Sequence, residues 1–367
     1  MSVDARPATR TFEPARLAMA RRLAGLRQWE LAAAIDRPVA AVAQYELGRS
    51  YPSAETLARC ARVLDVPAGF FTAGRPQLRL DTAQVHFRSL RATQTVRREQ
   101  ALARVELLWE LLGEVEQVVE LPTVDLGLPP GAGPGDPARV AREVRGVWGV
   151  SAGPVAHLVR NLEARGVVVV ENPPTADPTG QDVDAFSAPL YGRPVVVLPA
   201  TEDLAERRFA AAHELGHLLL HPDAAPGNGH HEAEAIAFAA EFLAPARELR
   251  DLLPPATDVP ALVELGTSYG VPVTVLVRQG RNLGVYPADV CRRLMSALAT
   301  LDQRAHRPPV TYPGERPELV VRALDMAADH GLPLGALARR LHVTPAMVRD
   351  LLGLGVNRPR LRLVSGG

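Results

Sequence analysis

The sequence predicts an α+β protein that is mostly helical, with a small sheet set among helices in its middle part. Three features predict this. Short helix-length apolar patterns separated by polar breaks fill residues 14–71. β-like runs bounded by turn residues cluster between 166 and 198. Apolar stretches at helical spacing return from 202 onward. The expected division is a helical N-terminal domain at 10–75, a helical connector and Pro/Gly linker at 76–135, a mixed domain at 136–285 and a helical C-terminal region at 286–367.

In chain order, segment 26–32 (LRQWELA) starts a second helix after a first that opens near 14. A turn at Asp36, Arg37 and Pro38 leads into a helix at 39–47, and stretches 53–64 and 66–71 close the domain. Segment 93–119 has Leu102, Val105, Leu108 and Leu112 on one helical face. The run LPPGAGPG at 128–135 is a linker by composition. Asp136 before Pro137 then opens a new folding unit, with helices over 137–148 and 153–165. Strands are expected at 166–171 (GVVVVE), 182–187 (DVDAFS) and 194–198 (PVVVL). Helices follow at 202–221, 232–242, 258–269 and 287–306, then a Pro-rich break at 307–317 and two or three more helices.

The tail segment 331–353 repeats a helix–break–helix pattern, its apolar set running from Leu334 to Leu351 around Thr344 and Pro345. It reads as a hairpin packing on the middle domain or on a partner. The rival reading, a second DNA reader, has only Arg339, Arg340 and Arg349 to supply charge. Segment 358–364 reads as a terminal strand or a flexible basic tail.

Hydrophobic residues make up 47% of the 367 and aromatics only 5%, so the cores must be built from Ala, Val and Leu. Formal net charge is zero, yet residues 1–76 carry eleven Arg against seven acidic residues. A basic front on a neutral protein points toward nucleic acid. Every cation is Arg, with no lysine, which reads as the codon bias of a GC-rich genome. No apolar run approaches the ~18 residues of a membrane span, and no signal segment opens the chain. Cys60 and Cys291 lack metal-ligand spacing, so the expectation is a reduced cytoplasmic protein with no membrane partner.

The strongest chemical signal is RRFAAAHELGHLLLH at 207–221. On a helix, His213 and His217 stand one turn apart on one face, so both imidazoles can reach one ion. Glu214 lies about 100° round the helix, near the ion without competing for it, where it can take a proton from water. Such a motif can arise by chance, but two features oppose that. The helix is apolar almost all round and should be buried, where each unsatisfied polar group would cost about 1–3 kcal/mol. Gly216 interrupts it at a propensity cost of roughly 1 kcal/mol, which suggests close backbone approach. A short loop after His221 should return a second helix antiparallel past the first, making His230, His231, Glu232 and Glu234 all candidates for a third ligand.

HELGH followed by EAEAIAFAAEFLAP at 232–245 resembles the ImmA/IrrE metallopeptidases over roughly 137–285. The resemblance implies a zincin-like peptidase domain holding Zn2+ through His213, His217 and Glu232, with Glu214 as the catalytic general base. Glu234 then becomes a solvated or supporting carboxylate and His221 a structural residue. Tyr191, His230 and His231 are the candidates to stabilise an oxyanion. The family usually has Asn or Asp where this sequence has Ile236, and Met where it has Ala244. Loss of a residue supporting a ligand can cost ~10–100-fold in metal affinity or activity.

Residues 14–72 in turn resemble the XRE, lambda-repressor-like, helix-turn-helix regulators. That resemblance implies a recognition helix in the major groove of double-stranded DNA, with Gln28 on phosphate or base, Gln44 on a base edge, and Arg37 and Arg49 on phosphates. Val39 to Ala43 offer few hydrogen-bonding groups, so a helical module for protein contacts is the competing reading. Together the resemblances imply a DNA-binding transcriptional regulator whose endopeptidase domain cuts a repressor or regulatory protein. The alternative is a transcription factor whose peptidase-like domain is a non-catalytic sensor. A homodimer would favour half-sites ~34 Å apart.

Overall fold

The computed structural model describes residues 11–72, 74, 78–80, 85–87, 95–127, 136–172, 185–190, 192–199, 201, 203–221, 228–300, 312 and 314–354. The expected linker at 128–135, the tail at 358–364 and most of the Pro-rich break lie outside them.

The N-terminal domain consists of α1 (Pro14–Leu23), α2 (Gln28–Ala34), α3 (Val39–Glu46), α4 (Ala54–Val63) and a 3-10 turn at Ala68–Phe71. Local chemistry fixes the boundaries. Asp36 takes a left-handed φ of 55°, which Asp tolerates, ending α2 before Pro38 opens α3. Gly48, at φ +68°, turns the chain out of α3, and the Arg49 N–H reaches back to the Gln44 carbonyl at 2.9 Å. Ser53 caps α4 by accepting from the Thr56 N–H.

The apolar spacing at 93–119 becomes α5 (Thr95–Val115), buried along most of its length. Two of its carboxylates reach into α1: Glu110 pairs with Arg16 at 2.5 Å, and Glu106 with Arg22 at 2.6 Å. Glu106 also accepts the Leu80 N–H. These buried pairs attach the N-terminal domain to α5 with fixed geometry.

The described strands are β1 (His86–Phe87), β2 (Val168–Glu171), β3 (Phe186–Leu190) and β4 (Arg193–Leu198), in the order β1-β3-β4-β2. β2 runs parallel to β4; the other pairs are antiparallel. Strand periodicity sends alternate residues to opposite faces. Val168, Val170, Phe186, Ala188, Val195 and Val197 join a core shared with α1–α5. Val167, Val169, Val196 and Leu198 join a second core on the other face. Both faces are therefore covered, and the sheet separates two cores. The middle strand starts at 186 rather than 182, and 182–184 lie outside the described residues. β1 is too short to show an alternation and was not expected.

The second core is built from α6 (Pro137–Val147), α7 (Leu158–Ala164), α8 (Leu204–Leu220), α9 (Gly229–Leu243), α10 (Ala246–Leu249), α11 (Val259–Tyr269), α12 (Val273–Asn282) and α13 (Ala288–Thr300). Asp136 caps α6 through the Ala138 N–H, and Asp203 caps α8 through those of Ala205 and Glu206. α7 is shorter than the expected 153–165. The Gly153 N–H donates to Glu248 at 2.7 Å, its carbonyl accepts from Arg145 at 2.8 Å, and His157 adopts φ 51°. These tertiary bonds hold 153–157 outside the helix.

The C-terminal helices α14 (Leu319–Asp329), α15 (Leu334–Arg340) and α16 (Pro345–Leu351) pack into the first core. Val320 and Ala323 of α14, which packs on α5 and β2, join this core with Leu337 and Val348, and Arg340 pairs with Glu114 on α5 at 3.1 Å. The predicted hairpin exists, but it packs on the first core's side of the sheet, with the His342 ring against Gly69 of the N-terminal domain.

One buried cation ties α8 to three other segments. Arg208 is fully buried, pairs with Glu315, and donates to the carbonyls of Gly270 at 3.0 Å and Val155 at 2.6 Å. Glu315 also accepts the Leu158 and Val159 N–H groups at the start of α7. Burial pushes the Glu315 carboxyl above its ordinary range, against the opposing pull of Arg208. Among the described residues no single helix is long and apolar enough to cross a membrane.

Leaving one member of such a pair unmatched costs about 3–5 kcal/mol. Glu315→Leu should therefore lower the midpoint of denaturant unfolding sharply, while the double variant Arg208→Met/Glu315→Leu should recover part of the loss.

Candidate metal centre and nucleic-acid interface

α8 is Ala- and Leu-rich and buried on nearly every side, so its polar residues sit among apolar neighbours. His213 and Glu214 are fully buried and His217 is 1% exposed. α9 lies against α8 at Gly216. A Cβ there would stand 3.1 Å from the Phe238 ring and 3.3 Å from the Ala235 backbone. The sequence expectation of close approach at this glycine thus has a defined cause.

That approach brings the first turn of α9 over the two histidines. His213 Nε2 and His217 Nε2 lie 3.0 Å apart, and each is 3.3 Å from a Glu232 carboxylate oxygen. Four ligands in a tetrahedron with metal–ligand bonds of about 2.0–2.1 Å stand about 3.3 Å from one another. His213 Nε2 faces Glu232 Oε2 and His217 Nε2 faces Oε1, so these contacts, at 3.0–3.3 Å, lie close to the edge lengths of such a coordination shell, and the donor set of two imidazoles and a carboxylate suits zinc. Burial pushes the Glu232 carboxyl up, but hydrogen bonds from His213 and His217 and their charges outweigh it, holding it at about 2. Glu232 is thus an anion throughout the neutral range, as a ligand must be.

Glu214 follows His213 on the same buried helix, one residue round from the ligand face. Glu234 does not reach this group. It turns the other way round α9 and accepts from His221 Nε2 at 2.8 Å, with His231 stacked on the His221 ring. Glu234, expected as a solvated or supporting carboxylate, and His221, expected as structural, meet each other, a pairing that the sequence does not display. Ile236, one turn after Glu232, is half-buried and packs on the second core. Of the residues singled out for an oxyanion, Tyr191 lies outside the described residues. His230 is largely exposed, 3.4 Å from Glu234.

In the N-terminal domain, Gln44 and Arg49 are exposed at the end of α3, on a surface that also presents Val39 and Leu47. Gln28 and Arg37 are half-buried and held by protein partners. Gln28 donates to Glu46 at 2.8 Å, a carboxylate also bound by Arg21, and Arg37 donates to the Thr56 hydroxyl at 3.2 Å. Both can orient the recognition helix; reaching a phosphate would require them to leave these bonds. Trp29, 54% exposed at the start of α2, is an aromatic that the sequence reading gave no role. Cys60 is buried in the core beneath, where desolvation pushes its thiol up to about 12, so it is chemically quiet.

Residues 17–71 match the family model for a helix-turn-helix, and residues 162–279 match the model for the IrrE N-terminal-like domain, a peptidase family. No curated protein and no solved structure matches the chain. The second match begins in α7 and ends in α12, so it contains the sheet strands β2–β4, α8 and α9.

His213→Ala and Glu232→Ala are each expected to lower the zinc retained by the purified protein by about one equivalent per chain, since two remaining ligands hold zinc poorly. Gly216→Val should do the same indirectly, with about 1–3 kcal/mol of overpacking visible as a lower unfolding midpoint.

Proposed function

From a chain that joins an XRE-type helix-turn-helix domain to an IrrE/ImmA-like peptidase-type domain, we propose a DNA-binding transcriptional regulator that is also a zinc-dependent endopeptidase. Its substrate is another regulatory protein, a repressor of the XRE type. The observation that carries this is the convergence of His213 and His217 of the largely buried α8 with Glu232 of α9, beside the buried Glu214.

His213, His217 and Glu232 hold the ion. When bound, zinc supplies Lewis-acid polarisation of water and of the scissile carbonyl. Glu214 does the proton work: a carboxylate oxygen takes the proton of the attacking water and delivers it to the departing amine nitrogen. The apolar walls of α8 exclude bulk water, which strengthens every charge interaction there. In the N-terminal domain Gln44 reads a base edge and Arg49 holds a phosphate, while Gln28 and Arg37 brace the recognition helix.

One observation favours a second reading, in which the peptidase-like domain senses rather than cleaves. Ile236 packs into the core one turn from Glu232, and an aliphatic side chain cannot orient a ligand imidazole by hydrogen bonding.

Incubation with XRE-type repressors separates the two. Glu214→Gln should retain zinc and lose at least ~100-fold in cleavage rate, the usual worth of a general base. Equal cleavage by wild type and variant, or none by the zinc-loaded wild type, would exclude the peptidase reading. On DNA, Gln44→Ala should cost about 1–3 kcal/mol and relax preference at one base position. Arg49→Ala should weaken binding uniformly and reduce the salt slope by about one. Both are read from binding isotherms at several salt concentrations.

A further inference from the structure

Beside the first metal group lies a second constellation of the same residue types. His221 is the C-cap of α8, one turn beyond His217. Its Nε2 is 2.8 Å from Glu234 Oε2, and its ring stacks on that of His231 with centroids 4.3 Å apart. His221, His231 and Glu234 each bring one ligand atom within 4.8 Å of the others. His231 Nδ1 is shielded from solvent and has no hydrogen-bond partner among the described residues. Its other nitrogen, Nε2, lies 3.3 Å from the Asn228 amide. His230, mostly exposed, stands 3.4 Å from Glu234 Oε1.

We propose that His221, His231 and Glu234 form a second divalent-metal site, separate from the His213–His217–Glu232 group and suited to zinc. Two imidazoles and one carboxylate are the donor set that favours Zn2+ over the hard cations, which take oxygen ligands. Its two α9 members have room to adjust around an ion. His231 and Glu234 are three residues apart on one face of α9 and only half-buried, so side-chain rotation suffices. His221 is buried and already aimed at Glu234, which fixes the third side. An ordinary histidine–carboxylate pair would explain His221 and Glu234. It would not explain a second imidazole packed on the first with a shielded ring nitrogen. A cation here would clamp the end of α8 to the turn of α9 that presents Glu232, coupling its occupancy to the geometry of the first group.

Metal stoichiometry of the full-length chain tests this. Metal-stripped protein is dialysed against buffered Zn2+, and bound metal is counted per chain, with Co2+ absorption as a second readout. Wild type should hold about two equivalents, and His231→Ala and Glu234→Gln about one each. The double variant His213→Ala/His217→Ala should also keep about one, and adding His231→Ala should remove it. His231 is half-exposed, so its substitution should leave the circular dichroism spectrum unchanged. A single equivalent in wild type, or a second equivalent that survives His231→Ala, would overturn the proposal. Failure of the first group alone would read differently: His213→Ala/His217→Ala would then hold as much zinc as wild type.

Discussion

Gly216 has no side chain, and α9 occupies the space where one would be. Because the Ala235 backbone and the Phe238 ring close over it, a Cβ there would meet them at 3.1–3.3 Å, so α8 and α9 approach closely enough that any side chain would push them apart by a few tenths of an ångström. That separation sets the reach of Glu232 to two imidazoles one helical turn apart. A wider gap would carry Glu232 away from both imidazoles. The helix gives up propensity at this position to gain geometry, and the dense packing of Phe238 and Phe242 in the second core keeps the gap closed.

The sheet extends that constraint to the whole molecule. Its alternating valines feed two cores, one on the metal-site side and one shared by the helix-turn-helix domain, α5 and the C-terminal helices. The Arg16–Glu110 and Arg22–Glu106 pairs hold α1 to α5, and Arg208–Glu315 holds α8 to the segments around it. Buried ion pairs contribute little net stability, because desolvation offsets their attraction. What the structure shows is their direction: Arg16 and Arg22 each meet one carboxylate of α5, and Arg208 meets Glu315. The DNA-binding domain and the metal site are thereby joined through packed, directional contacts as well as through chain connectivity.

The ends of α8 and α9 illustrate how a helix distributes chemistry. Histidines at 213, 217 and 221 descend α8 in successive turns. The carboxylates at 232 and 234 lie about 200° apart around α9, so they cannot serve the same group. One closes the first set of histidines and the other meets His221 and His231. Two neighbouring constellations then follow from a two-residue spacing.

The sequence by itself determined the helix-turn-helix elements, the two valine-rich strands and the face shared by His213 and His217. All of these rest on local periodicity, capping or turn chemistry, which a sequence displays directly. It also narrowed the third ligand to four side chains. Helical periodicity alone left Glu232 and Glu234 both open and the family resemblance favoured Glu232; the tertiary structure places Glu232 facing both imidazoles, because rotation about α9 depends on what packs against it. The short form of α7, the helix α12, which was not expected between 269 and 287, and the docking of the C-terminal hairpin on the first core were decided the same way. So was the engagement of Gln28 and Arg37 with Glu46 and Thr56, since a side chain's partner across 18 or 19 residues leaves no periodic trace in the chain.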